Sequence, residues 1–276
     1  MNEPSPAPSI LPLELDGVCF EAGGTRLIKD ISWRFEADRR TVVIGPNGAG
    51  KSLFLRLCHG LIKPSRGSVR WHGVEAAAPD ESPANAGAWA ARHQAMVFQR
   101  PVMLRRSVTA NVDYALKLHH IPRAKRAETI ERVLHETGLK RLAHLPARVL
   151  SIGEQQKLAL ARAWALKPQV LFLDEPTASL DPSATHGVEE IIEAIHNQGT
   201  RIIMTTHDLG QARRMADEVL FINRGRILES APAKQFFEAP QNDLAQAFVR
   251  GELLWWNKGQ DNRKHQPGDP TEGKPE

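Results

Sequence analysis

Only two cysteines, Cys19 and Cys58, occur in the chain, and neither has a neighbouring cysteine or histidine at metal-ligand spacing. That scarcity argues against a disulfide scaffold and a structural zinc site, and fits a reduced, cytosolic protein. No uninterrupted apolar run approaches membrane-spanning length, and the first residues, MNEPSPAPSILP, carry acid and prolines where a secretory leader would carry basic and then apolar residues. Any membrane role therefore needs a separate partner. Charge of one sign is also scarce: the net charge of +4 suits an anionic ligand or a membrane surface but gives little argument for nucleic acid. No repeat of 20 to 50 residues is present. What the chain does have is a hydrophobic content of 41% over 276 residues, ample for a buried core.

Residues 1–12 and the polar tail after Gly251 are rich in Pro, Ser or Gly and read as disordered, leaving one folded unit over about 13–250. Within it LELDGVCF, RLIKDISWRF, TVVIGP, GSVRWHG, AMVFQ, VLFLDEP, RIIMTTHD and EVLFINRGRILES read as strands. Three of these, TVVIGP, VLFLDEP and RIIMTTHD, are near-continuous apolar runs ending in polar residues. Parallel strands covered on both faces, with chemistry at their carboxyl ends, have this pattern, so the core is doubly wound. Between Gln99 and VLFLDEP the periodicity turns helical through SVTANVDYALKLHH, RAKRAETIERVLHETGL and SIGEQQKLALARAWAL, which marks an inserted helical subdomain over about 100–166. The alanine-rich stretch at 76–90 reads as a surface loop with a short helix.

GPNGAGKS lies directly between the TVVI strand and the helical LFLRLCHGL. A polyphosphate is best held by main-chain N–H groups at a helix start, where side chains would be in the way. The run Gly45, Pro46, Asn47, Gly48, Ala49, Gly50, Lys51, Ser52 and Leu53 supplies such a cradle. Its glycines let the chain wrap closely, Lys51 reaches the terminal phosphates, and the Ser52 hydroxyl can ligate Mg²⁺. ATP hydrolysis further needs a metal-side carboxylate and a group that polarises the attacking water. At the end of VLFLDEP, Asp174 can hold Mg²⁺ through water and Glu175 can polarise the nucleophile.

With LSIGEQQKLALARA, VLFLDEPTASLD, Gln99 and TTHD added to the phosphate loop, residues 13 to 230 resemble the ATPase subunit of ATP-binding-cassette (ABC) transporters. The resemblance implies an α/β fold: a P-loop NTPase (RecA-like) core with a parallel sheet, an N-terminal antiparallel β subdomain and the inserted helical subdomain. It implies a head-to-tail dimer in which ATP is clamped between the phosphate loop of one copy and the signature motif of the other. Ser151, Gly153 and Glu154 would then face the partner's nucleotide. Gln99 would link Mg²⁺ to the helical subdomain, Asp181 would carry contacts between the two sites, and His207 would grip the γ-phosphate and hold Glu175 and its water. The signature departs from the family pattern at Ile152, where glycine is usual. Ala22 falls where members commonly place an adenine-stacking aromatic; Phe20, two residues earlier and on the same strand face, is a substitute candidate.

A single phosphate loop and the lack of a sustained heptad run argue for a transport subunit over a soluble cassette ATPase acting on ribosomes or nucleic acid. NKGQ at 257–260 does not complete a guanine-reading motif. Members of this kind dock on separate membrane permease subunits through the segment after Gln99, here QRPVMLRRSVTANV. Met103 and Leu104 are expected to be exposed there, with Arg105 and Arg106 beside them and Ser107 capping the next helix. A lone short cassette resembles importer subunits that work with a separate solute-binding protein at the cytoplasmic face of the inner membrane. RPVMLRRSV is similar to oxyanion importers of the tungstate, molybdate and phosphate kind, with amino acids as the alternative cargo. Trp255 and Trp256 read either as packing for a last helix or as a partner contact.

Overall fold

The computed structural model describes residues 9–71, 74–75 and 90–252; most of the alanine-rich stretch at 76–90, Trp255, Trp256 and the chain beyond residue 252 lie outside the described residues. In chain order the strands are β1 (Leu13–Ala22), β2 (Thr25–Phe35), β3 (Arg40–Ile44), β4 (Arg66–Trp71), β5 (Val74–Glu75), β6 (Gln94–Val97), β7 (Val170–Asp174), β8 (Arg201–Thr205), β9 (Glu218–Asn223) and β10 (Arg226–Pro232). The helices are α1 (Lys51–His59), α2 (Val108–Leu118), α3 (Arg123–Glu136), α4 (Ile152–Ala165), α5 (Pro182–Asn197), α6 (Leu209–Met215), α7 (Ala233–Glu238) and α8 (Asp243–Val249).

Two sheets form. An antiparallel sheet has the order β2-β1-β4-β5, and a second sheet runs β10-β9-β3-β8-β7-β6. In the second, β9, β3, β8, β7 and β6 are mutually parallel and β10 closes one edge antiparallel. This is the expected α/β arrangement.

The continuous apolar runs are explained by where alternate side chains go. Val42, Ile44, Leu171, Leu173, Ile202 and Met204 pack into one core with Leu158 of α4 and Val188 and Ile192 of α5. Val43, Val170, Phe172 and Ile203 point to the other face, into a second core with Phe54 and Leu57 of α1 and with Leu15, Phe35 and Trp71 of the antiparallel sheet. A strand flanked by two cores has no polar face to offer, so its sequence loses the alternation of a half-exposed strand.

Two expectations are corrected here. EVLFINRGRILES is not one strand but a hairpin, β9 and β10, which turns at Arg224 and Gly225, both with positive φ (47° and 75°). Apolar residues on both sides of the turn hid it. The second is the stretch 9–12, expected to be disordered but packed against the fold. Ile10 is fully buried in the second core and its N–H donates to Gln169 Oε1 at 2.7 Å.

α1 ends on His59, whose ring meets Phe172 edge-on with centroids 5.4 Å apart. Burial pushes its pKa from 6.5 down to about 4. The folded state therefore holds His59 neutral while the unfolded chain takes up a proton below about pH 6.5. Stability from this group is complete above pH 6.5 and is lost as pH falls toward 4. Urea unfolding at pH 7.5 and pH 4.5 should show the wild type losing about 2–3 kcal/mol more than His59→Leu. Equal losses would place the acid sensitivity elsewhere.

Candidate active site

The order β3-β8-β7-β6 brings the carboxyl ends of four parallel strands side by side. Gly45 follows β3, Thr205 ends β8, Asp174 ends β7, and Gln99 lies two residues beyond β6. Segments distant in sequence thus share one edge of the sheet, the usual position of ligand sites in such folds.

At Gly45 the chain passes so close to β9 that a Cβ would stand 2.0 Å from the Ile222 carbonyl oxygen, so no other residue fits. The loop then rises through Pro46 and the exposed Asn47 and Gly48 to Ala49, whose side chain is buried, and Gly50 caps α1 without any side-chain bond. No acidic residue stands in the first turn of α1. Its leading N–H groups, at Lys51, Ser52 and Leu53, lack intrahelical acceptors by geometry and together form a positive seat. Leu53 itself packs its side chain against the second core, so only its main chain faces this seat.

Lys51 is 5% exposed, and its Nζ donates to the carbonyls of Gly45 at 2.9 Å and Pro46 at 3.2 Å. Burial lowers its pKa, while Glu175 and then Asp174 oppose that shift. Glu175 Oε1 lies 3.9 Å from Nζ. This is a desolvated cation held over the loop by weak neutral acceptors, ready to exchange them for an anion.

Asp174, 4% exposed, accepts on Oδ1 from Ser52 Oγ at 2.7 Å and from Thr205 Oγ1 at 2.8 Å. Glu175 follows with a left-handed φ of 46°, fixed by its N–H donating to the Thr205 carbonyl at 3.1 Å and to Thr205 Oγ1 at 3.0 Å. That turn aims the Glu175 carboxylate at the remaining groups. Its Oε2 accepts from Gln99 Nε2 at 3.3 Å and lies 3.1 Å from His207 Nδ1. An ionised carboxylate only accepts, so this contact assigns the hydrogen to Nδ1 of His207.

Lys51, Ser52, Gln99, Asp174, Glu175 and His207 are therefore one connected group. Ser151, Gly153 and Glu154 are not joined to it. Ser151 caps α4 in a reciprocal box: its N–H and its hydroxyl each donate to Glu154 Oε2 at 2.8 Å, and the Glu154 N–H returns a bond to Ser151 Oγ at 3.3 Å. Ile152 projects outward, 63% exposed, and Gly153 faces Ala184, which a Cβ there would approach to 3.0 Å. Asp181 caps α5 by accepting from Ala184 N–H at 2.9 Å. Phe20 is partly buried against the second core; the register shift beside it places the extra residue, Leu27, on β2, so Phe20 and Ala22 keep alternate positions on β1, with Ala22 exposed.

Thr205 was not singled out in the sequence, although one hydroxyl serves both carboxylate residues. The signal was a threonine at the end of an apolar strand. Asn111, fully buried on α2, was missed as well. Its Oδ1 accepts from Leu104 N–H at 3.1 Å and its Nδ2 donates to the Ser107 carbonyl at 2.9 Å, which fixes the segment after Gln99.

The pattern of the family described as ABC transporter matches residues 28–178. The chain belongs to the ABC transporter family. Phosphate import ATP-binding protein PstB 1 of Vibrio parahaemolyticus is 36% identical over 239 residues, covering 83% of this chain and 86% of that protein. Tungstate uptake system ATP-binding protein TupC of Peptoclostridium acidaminophilum is 36% identical over 209 residues, 75% of this chain and 92% of that protein. Among solved structures, cbiO1 from Clostridium perfringens, part of the ABC transporter complex cbiONQ, has a TM-score of 0.74 at 26% identity, covering 83% of this chain and 90% of that one. The protein is thus an ABC transporter ATPase, and ATP is its ligand.

Beside the site of this ABC ATPase, a groove of about 500 Å³ opens between β6, α2 and α4, lined among others by His59, Gln94, Val102, Leu104, Tyr114 and Leu118. Met103, expected to be exposed, is 7% exposed and packs into the first core, whereas Val102 beside it is 75% exposed. The Asn111 bond to Leu104 turns the chain so that Met103 points inward. Arg106 stacks over Tyr114 at 4.9 Å, and Ser107 caps α2 by accepting from Ala110 N–H at 3.2 Å.

Thr205→Val removes one donor to Asp174 and one acceptor for the Glu175 N–H at nearly constant volume. A hydrogen bond to a charged group contributes about 1.5–3 kcal/mol, so steady-state ATP turnover should fall roughly tenfold to a hundredfold with little change in melting temperature. Wild-type turnover in the variant would mean that the hydroxyl does not hold the carboxylates in working positions.

Proposed function

We propose that this ABC ATPase is the ATP-hydrolysing subunit of an oxyanion importer, acting as a head-to-tail pair of identical copies. The single observation that carries the proposal is the convergence of Lys51, Gln99 and His207 on Glu175, beside the Ser52–Asp174 pair. Glu175 is the group that polarises the attacking water, and Gln99 and His207 orient it. Lys51 exchanges the Gly45 and Pro46 carbonyls for terminal phosphate oxygens, and the N–H groups of Asn47, Gly48 and Gly50 to Leu53 take the rest of the polyphosphate.

Ser52, Asp174 and Gln99 offer hard oxygen donors that suit Mg²⁺. Among the described residues no cluster of three His, Cys, Asp or Glu could cage a metal, and Mg²⁺ typically uses one or two carboxylates together with substrate phosphates. When bound, Mg²⁺ would neutralise charge on the transferring phosphate. The exposed Ser151 at the start of α4 supplies hydrogen-bonding groups to the nucleotide of the second copy. Gly153 and Glu154 stand beside it, Asp181 contributes to the contact between sites, and Phe20 is the adenine-side candidate. Ile152 replaces a glycine without displacing Ser151 from its cap.

The groove behind Gln99 is the docking surface for a short helix of a separate permease. It is lined mainly by apolar side chains, with Arg162 in its wall and Arg106 stacked on its Tyr114, and Gln99 lies on the segment that leads into it. Dimer closure would reach the permease through that segment. No helix among the described residues is long and apolar enough to cross a membrane, which fits a peripheral subunit at the cytoplasmic face of the inner membrane. The cargo class rests on the relatives: phosphate import and tungstate uptake both concern tetrahedral oxyanions. In this reading a separate solute-binding protein brings the cargo to the permease.

Glu175→Gln should bind Mg-ATP, lose turnover by a factor of about 10²–10⁴, and elute as an ATP-dependent dimer on size exclusion. A variant that stays monomeric at saturating Mg-ATP would refute the shared site. Val102→Asp should reduce the permease recovered with the subunit by about tenfold; unchanged recovery would move the docking surface elsewhere. With permease and binding protein reconstituted, phosphate or tungstate should stimulate turnover and amino acids should not.

A further inference from the structure

The turn between β9 and β10 belongs to none of the motifs recognised in the sequence, yet it touches the phosphate loop. Gly225 is buried; its N–H donates to the Ala49 carbonyl at 2.9 Å and its own carbonyl accepts from Lys29 N–H at 2.8 Å. One residue thus ties the loop, the hairpin tip and β2 together by main-chain bonds alone. There is no room for a side chain at this junction. A Cβ on Gly225 would stand 2.0 Å from the Leu27 carbonyl oxygen and 2.8 Å from its carbon, and a Cβ on Gly50, across the junction, would lie 3.7 Å from the Gly225 Cα. Both turn residues have positive φ, 47° at Arg224 and 75° at Gly225, the geometry of a tight primed hairpin.

The consequence follows from peptide planarity. The carbonyl and the N–H of the Ala49–Gly50 peptide lie in one plane and point in opposite directions. With the carbonyl drawn to Gly225, the Gly50 N–H is turned away from the hairpin tip. Among the described residues no acceptor meets it. We propose that the Arg224–Gly225 turn is a positioning element of the nucleotide site, which fixes the Ala49–Gly50 peptide so that the Gly50 N–H is presented to the triphosphate before ATP arrives. Donors fixed in advance need no reorganisation on binding. The inference rests on reading residues 45–52 as the triphosphate seat.

Gly24 provides the control. Its φ is also positive, 72°, but a Cβ there meets nothing within 4 Å, so Gly24→Ala carries the backbone strain without the collision. Calorimetric titration of Mg-ATP should find Gly225→Ala at least tenfold weaker than Gly24→Ala. In the wild-type protein, amide hydrogen exchange at Gly225 should slow when Mg-ATP binds, because coupling between two sites is reciprocal. The exchange measurement also decides the matter if Gly225→Ala does not fold. Affinities within twofold of each other, or exchange at Gly225 indifferent to Mg-ATP, would overturn the positioning role while leaving the nucleotide reading intact. A wild-type protein that took up no Mg-ATP would overturn both.

Discussion

A polyphosphate must be approached by many N–H groups at once, and main chain can do this only where its own carbonyls are accommodated elsewhere. That constraint organises the region around residues 45–53. The carbonyls of Gly45 and Pro46 are taken by Lys51, the Pro46 carbonyl also receives the Ala49 N–H at 3.1 Å, and the Ala49 carbonyl is taken by Gly225. The Pro46 and Ala49 bonds leave the N–H groups of Asn47 and Gly50 facing the other way, while the Gly45 peptide, whose nitrogen belongs to Pro46, has none to place. The glycines are the corollary: with carbonyls packed against β2 and β9, there is space for backbone and for nothing beyond it.

The sheet supplies the second half of the arrangement. Parallel strands deliver their carboxyl ends to one edge, and the pairing of Asp174 with Thr205 in register sets two polar residues side by side at that edge. Thr205 then serves both neighbours through one oxygen, giving its proton to Asp174 and accepting from the main chain of Glu175. The left-handed backbone of Glu175 is strained for a non-glycine residue, and the two bonds to Thr205 hold it there. Rigid strands thus bear a turn that a free loop would not keep.

Much of this was legible in the sequence because the determinants are local. Strands such as β3, β7 and β8 announce themselves by unbroken apolar runs, and GPNGAGKS and the Asp174–Glu175 pair carry their chemistry in residue type and order. What escaped was decided at a distance. Met103 looked as exposed as Leu104 until Asn111, seven residues on from Leu104, fixed the direction of the chain. The turn at Arg224–Gly225 carries one glycine but sits within a run that stays apolar on both sides, and its contacts lie on β2 and the phosphate loop, nearly two hundred residues away in the case of Lys29. The bulge that sets Leu27 of β2 outside the pairing beside Phe20 was equally invisible in the alternation of the sequence. Local pattern reports which face a residue prefers. It cannot report where a buried amide or a bulge will redirect the chain.

The division of β3, β7 and β8 between two cores has an evolutionary corollary. Inserting or deleting one residue within such a strand would exchange every inward group for its neighbour and drag the polar end out of line with the adjoining strands. Such strands therefore tolerate exchanges that preserve length far better than insertions, and the connecting segments are where added residues would leave the framework undisturbed.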